Sequence, residues 1–182
     1  MNAQLSICGL REISATDADT SRELAQRVWD PSRKLLASIR SYQRWKGRFG
    51  LFGKLLCSLH SLRHKFWSIV TGADIPLNCR LGGGLLLPHP NGIVIHPDAS
   101  IGPNCLVFQQ VTIGQGGKHP GTPQIGGHVD IGAGAKILGG ISIGAHARIG
   151  ANAVVLEDVP PGATAVGIPA RIIPRTLFGE TL

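Results

Sequence analysis

From Ile95 onward an aliphatic residue stands at every sixth position: Ile95, Ile101, Val107, Ile113, Ile125, Ile131, Ile137, Ile143, Ile149 and Val155. Only His119 interrupts the series, and a glycine directly follows Ile101, Ile113, Ile125, Ile131, Ile143 and Ile149. An earlier phase, Ile75, Leu81, Leu87 and Ile93, shifts by two residues at Ile93-Val94-Ile95. Neither a 3.6-residue nor a two-residue period generates this spacing, whereas hexapeptide β-helix repeats do. The pattern predicts an all-β solenoid with a triangular cross-section and one hexapeptide per face. The β-branched residue of each repeat points inward, and glycine with other small residues turns the corners. Three hexapeptides close a coil, so about four to five coils span residues 75 to 160.

Before residue 71 the pattern is helical instead. Ser21 to about Trp29, Pro31 to about Arg44 and Leu51 to about Val70 read as helices, with Asp30-Pro31-Ser32 as a start signal. Between Arg22 and Lys65 there are 11 Lys/Arg against Glu23 and Asp30, a local charge of +9 in a chain of +7. Trp29, Tyr42, Trp45, Phe49, Phe52, Phe66 and Trp67 also lie here. Such a segment suits a cap on the solenoid, a contact with an anionic membrane surface, or a nucleic-acid patch. No nucleic-acid-binding motif accompanies it, so nucleic acid is not an expected partner. The expected organisation is a basic α-helical N-terminal segment over 1–71, a β-helix with its closing segment over 72–175, and a tail over 176–182.

Composition removes other classes. Gly 25 and Pro 12 in 182 residues follow no collagen triplet, and no apolar run approaches the ~20 residues of a membrane span. The start lacks a signal-peptide pattern. Cys8, Cys57, Cys79 and Cys105 form no C-x-x-C pair, which fits idle thiols in a cytoplasmic protein. Seven histidines show no paired ligand spacing, so no metal is expected.

The chemistry is expected where the repeat is interrupted. One interruption is Leu87-Pro88-His89-Pro90-Asn91-Gly92; the other runs from Gly114 to Pro123 and carries Lys118 and His119. Asp74 lies 15 residues before His89, close to one coil, so the two can approach across neighbouring turns. An imidazole oriented by a carboxylate is what a general base requires. His96, His128 and His146 fall at positions that read as solvent-facing turns.

From Asp74 to about Arg171 the chain resembles the catalytic domain of serine acetyltransferases, within the left-handed parallel β-helix (hexapeptide-repeat) acyltransferases. The matching elements are Ala73-Asp74-Ile75, Leu87-x-His89-x-x-Gly92-Ile93-Val94, Gln110 to Gly114, Ile131 to Gly139 and Val166-Gly167-Ile168-Pro169-Ala170-Arg171. The resemblance implies a homotrimer with acetyl-CoA in the groove between adjacent β-helices. His89 would deprotonate an acceptor hydroxyl, Asp74 would hold the imidazole, and transfer would be direct. Ala133, Ala151, Lys136, Gly167, Pro169 and Arg171 fall on the coenzyme-binding segments.

The pattern departs from the family at the acceptor. Where serine acetyltransferases carry an aspartate for the amino group of serine, this chain has Pro88. Their Arg-His pair aligns with Gly121 and Thr122, leaving His119 as the nearby substitute. The N-terminal region is shorter than the helical domain that joins two trimers, and Glu180-Thr181-Leu182 lacks the family's terminal isoleucine. Pro88, His119 and Thr122 are therefore the acceptor-site candidates. A sugar or polysaccharide-precursor hydroxyl is the expected acceptor, with L-serine as the alternative and a non-catalytic scaffold behind both. A cytoplasmic enzyme, with possible work at the inner membrane face through its basic helices, is the corresponding expectation.

Overall fold

All ten aliphatic members of the six-residue series are buried, none more than 4% exposed. A computed structural model describes residues 13–47 and 50–175; Cys8, the tail over 176–182 and its last three residues lie outside them. Three parallel sheets form the faces of the prism. The first stacks β1 (Arg80–Leu81), β3 (Ser100–Ile101), β6 (Gln124–Ile125) and β9 (Ser142–Ile143). The second stacks β2 (Val94–Ile95), β5 (Thr112–Gly114), β8 (Lys136–Leu138) and β11 (Val154–Val155). The third stacks β4 (Leu106–Val107), β7 (Asp130–Ile131), β10 (Arg148–Ile149) and β12 (Thr164–Val166), and β13 (Arg171–Ile173) closes it by pairing antiparallel with β12. This is the left-handed β-helix expected of the repeat.

The register locates both interruptions. Asp130 pairs with Arg148 and Lys136 with Val154, steps of 18 residues. Arg80 pairs with Ser100, a step of 20, because the turn holding His89 adds two residues. Thr112 pairs with Lys136, a step of 24, because the Gly114–Pro123 loop adds six. A second interior column, two residues before the first, consists of Ala99, Cys105, Val111, Val129, Ala135, Ile141, Ala147 and Ala153, all at most 1% exposed. Each buried branched side chain contributes on the order of 1.5–3 kcal/mol. Cys79 and Cys105 belong to this interior, where burial is the main cause pushing both thiols up to about 11.

The helical segment closes the first coil. In α1 (Pro31–Trp45), Leu35, Leu36 and Ile39 are buried. The helix also sends polar groups to backbone carbonyls that no further coil would pair. Arg40 donates to Leu81 O and Gly82 O, both at 2.6 Å, while Gln43 Nε2 donates to Leu77 O and Cys79 O. Glu23 pairs with Arg40 at 2.8 Å and accepts the Leu85 N–H. The second helix, α2 (Leu51–Thr71), ends where Gly72 takes a left-handed conformation, φ 67°.

The helix expected from Ser21 to about Trp29 does not form. A single 3-10 turn, Thr20–Glu23, is capped by the Asp19 side chain on Ser21 N–H, and Leu24 is already extended. The cause is competition from the β-helix. Asn104, 1% exposed, donates to Ser14 O and Asp17 O and accepts the Asp19 N–H, so this stretch lies as a strap across the coils.

Candidate active site

One edge of the prism, between its second and third faces, is a column of two-residue corners: Asn91-Gly92, Gln109-Gln110, Ala133-Gly134 and Ala151-Asn152. Gln110 N–H donates to Asn91 O, Gly134 N–H to Gln109 O, and Asn152 N–H to Ala133 O, at 2.8–2.9 Å. The second residue of each pair is left-handed, with φ between 57° and 74°. At Gly134 a Cβ would also meet the Asn152 side-chain oxygen, so any other residue would have to displace that side chain. At the far end, Val154 N–H donates to Gly167 O and Ala170 N–H to Val154 O. Ala133, Ala151 and Gly167 therefore lie along the same edge as the turn that carries His89. Lys136 is tied to it through Nζ–Gln110 O at 2.6 Å. Pro169 lies in the turn before β13, which Arg171 opens.

At the other end of this edge lies a pocket of about 510 Å³. Pro88, His89 and Asn91 form one wall; Arg27, Trp29, Asp30 and Arg33 form the other. Sequence reasoning missed this second wall. Asp30 read only as a helix start, yet its side chain makes no capping bond. The carboxylate instead pairs with Arg33 at 3.0 Å and accepts the Gln26 N–H at 3.1 Å. Burial pushes the Asp30 carboxyl up, but these bonds outweigh it and hold the group below its ordinary 3.8. Asp30 is thus an anion at neutral pH. Gln26, Arg27 and Trp29 line the pocket from a stretch in which no helix forms.

The expected site residues are distributed unevenly. Asp74 forms a parallel bridge with Val94, and its N–H donates to Ile93 O at 2.8 Å, one short turn from His89. Among the described residues, neither the Asp74 carboxylate nor the His89 imidazole makes a hydrogen bond. Pro88 shares the His89 pocket. His119 and Thr122 do not: their loop sits on the edge between the second and first faces, where Gly140 N–H donates to His119 O and Thr122 Oγ1 donates to Asp98 O. His128 and His146, expected to face solvent, lie on the remaining edge, His146 exposed and His128 half-buried, and pair there with Nδ1 atoms 2.8 Å apart. Desolvation chiefly lowers the His128 pKa; Asp130 opposes it, and His146, Arg22 and Arg148 add to it.

Known proteins are similar to this chain in sequence and fold. A family model described as "Bacterial transferase hexapeptide (six repeats)" matches residues 122–157. Serine acetyltransferase of Synechococcus elongatus is 47% identical over 110 residues, covering 59% of this chain and 45% of that protein. The soybean serine acetyltransferase apoenzyme superposes with a TM-score of 0.59 at 36% identity, covering 79% of this chain and 70% of that one. A serine acetyltransferase in complex with CoA gives 0.65 at 35% identity, covering 80% of this chain and 58% of that one. The chain spans about half the length of the curated relatives it matches.

Proposed function

Because the chain belongs to the serine acetyltransferase-like hexapeptide-repeat acyltransferases, we propose that it transfers the acetyl group of acetyl-CoA to the hydroxyl of L-serine. One observation carries the acceptor: ionised Asp30, with Arg27 and Arg33, shares a pocket with His89. An amino acid brings an ammonium and a carboxylate that must both be paired, since unpaired buried polar groups are costly. Asp30, whose carboxylate can accept further bonds beside those from Arg33 and Gln26, offers the anion that Pro88 cannot, and Arg27 offers the cation that Gly121 and Thr122 do not. The names of the relatives support serine over the sugar or polysaccharide-precursor acceptor suggested by Pro88, Gly121 and Thr122, for which they give no support.

In this reading His89 takes the hydroxyl proton as the oxygen attacks the thioester carbonyl. The tetrahedral intermediate collapses, the C–S bond breaks, and the imidazolium returns the proton to the leaving CoA thiolate. Asp74, beside the turn, orients the imidazole and offsets its positive charge. Acetyl-CoA lies along the Ala133–Ala151–Gly167 edge, where small residues leave the backbone open, with Lys136 and Arg171 as cations and Pro169 in the closing turn. A homotrimer would form the groove from two adjacent prisms. It would also let the loop with His119 and Thr122, remote from His89 within one chain, face a neighbouring subunit.

The test follows CoA release from acetyl-CoA with L-serine, sugars and nucleotide-linked sugars. Saturable turnover of L-serine with sugars inert is expected. Turnover of a sugar with serine inert would return the acceptor to the reading that Pro88 favours. Acetyl-CoA binding without turnover on any acceptor would leave a non-catalytic scaffold.

A further inference from the structure

Along α2, Phe52, Leu55, Leu59, Leu62, Phe66 and Ile69 recur at alternating steps of three and four, which draws one straight stripe down the helix. All six are more than half exposed, from 53% at Phe66 to 83% at Ile69. The stripe is not the packed side of the helix, where Trp67 is 8% exposed. Aromatic rings extend the apolar surface: the Trp67 ring lies 5.0 Å from Phe66 and 5.7 Å from Trp29, itself 65% exposed. Lys54, Arg63 and Lys65 flank the stripe and are exposed. From Pro31 to Thr71 the chain has nine Lys/Arg and no Asp or Glu.

We propose that this face of α2 docks on an anionic lipid surface, with the stripe at the boundary of headgroups and acyl chains and the cations on lipid phosphates. Six contiguous large apolar side chains are more than a solvated surface normally leaves open. Phe and Leu bordered by Lys and Arg are the composition of a helix that lies in a membrane interface. The charge selects this occupant over a second copy. If two stripes packed as a coiled coil, Arg63 and Lys65 would border the seam, and neither helix has an acid to pair with them. Anionic headgroups neutralise the same cations. The helix lies on the membrane rather than through it: among the described residues, no helix is long and apolar enough to cross one. Acetyl transfer plays no part in this inference.

The test is co-sedimentation of the full chain with phosphatidylcholine vesicles and with vesicles that also contain phosphatidylglycerol. Binding is expected only to the anionic vesicles, weakening as salt is raised. Leu59→Ser with Leu62→Ser should lower partitioning by about tenfold or more, and Lys54→Gln with Arg63→Gln and Lys65→Gln should also lower it. Far-UV circular dichroism and the thermal unfolding midpoint should be retained by both variants in the absence of lipid, which certifies their folding. Three results would overturn the proposal: no binding of the parent protein to anionic vesicles, unchanged binding of the leucine variant, or a smaller assembly mass for that variant in lipid-free ultracentrifugation. The last would assign the stripe to a second copy.

Discussion

The repeat and the helical segment before it are built on opposite rules. In the repeat, residues one coil apart do the same job, so Val107, Ile131 and Ile149 are interchangeable members of the buried interior. In the helical segment almost every contact is unique. Arg40 donates to the Leu81 and Gly82 carbonyls, and among the described residues Asp30 is the one carboxylate that lines the His89 pocket. Repetition yields a rigid straight edge suited to a long ligand. Specificity for a small acceptor has to come from residues that occur once.

The contrast breaks first at His89. His89→Ala should lower acetyl transfer by roughly 10²–10⁴-fold, read as CoA release, while acetyl-CoA binding survives. Near-normal turnover would mean that the edge carries the coenzyme past an inert turn. A stability comparison sharpens the same contrast. Ile131→Ala, in a fully buried column, should cost about 2–5 kcal/mol in denaturant unfolding, whereas Leu62→Ala on the open face of α2 should stay within about 0.5 kcal/mol. Equal costs would show that the outer helix face is packed in solution.

Legibility in the sequence follows the same division. The six-residue spacing exposed the prism because each inward position obeys one local rule, and even the two-residue phase shift at Ile93-Val94-Ile95 corresponds to the step of 20 around the His89 turn. The Pro-flanked His89 stood out as a break in that rule. The second wall of the pocket did not, because Arg27 and Asp30 follow a strap that Asn104 clasps at Ser14, Asp17 and Asp19, each more than 80 residues away. Local propensity favoured a helix over Ser21 to Trp29, and tertiary hydrogen bonds overrode it. The pairing of His128 with His146 was hidden for a related reason: their common corner appears only once the coils are stacked.

The strap offers a smaller perturbation. Asn104→Gly keeps the φ of 60° accessible and deletes only the clasp. It should cost about 1–3 kcal/mol and expose residues 14–24 to limited proteolysis while the coils stay protected. Unchanged protection of the strap would contradict its dependence on the clasp. The smallest effect concerns pH. Asp30 titrates below its ordinary 3.8 in the folded chain, so its pairing with Arg33 stabilises the fold fully above that value. The contribution fades as pH falls through the lower folded value. It should be under about 1 kcal/mol, and acid unfolding of Asp30→Asn against the parent should show the difference on the acid side only.

The central claim is that a carboxylate from the helical segment recognises the acceptor for a base held by the β-helix. Steady-state kinetics of Asp30→Asn with L-serine test it most directly, because asparagine still suits a helix start. The account predicts that KM for L-serine rises about 10–100-fold while KM for acetyl-CoA is unchanged. An unchanged serine KM in the variant, or no turnover of L-serine by the parent protein, would contradict it.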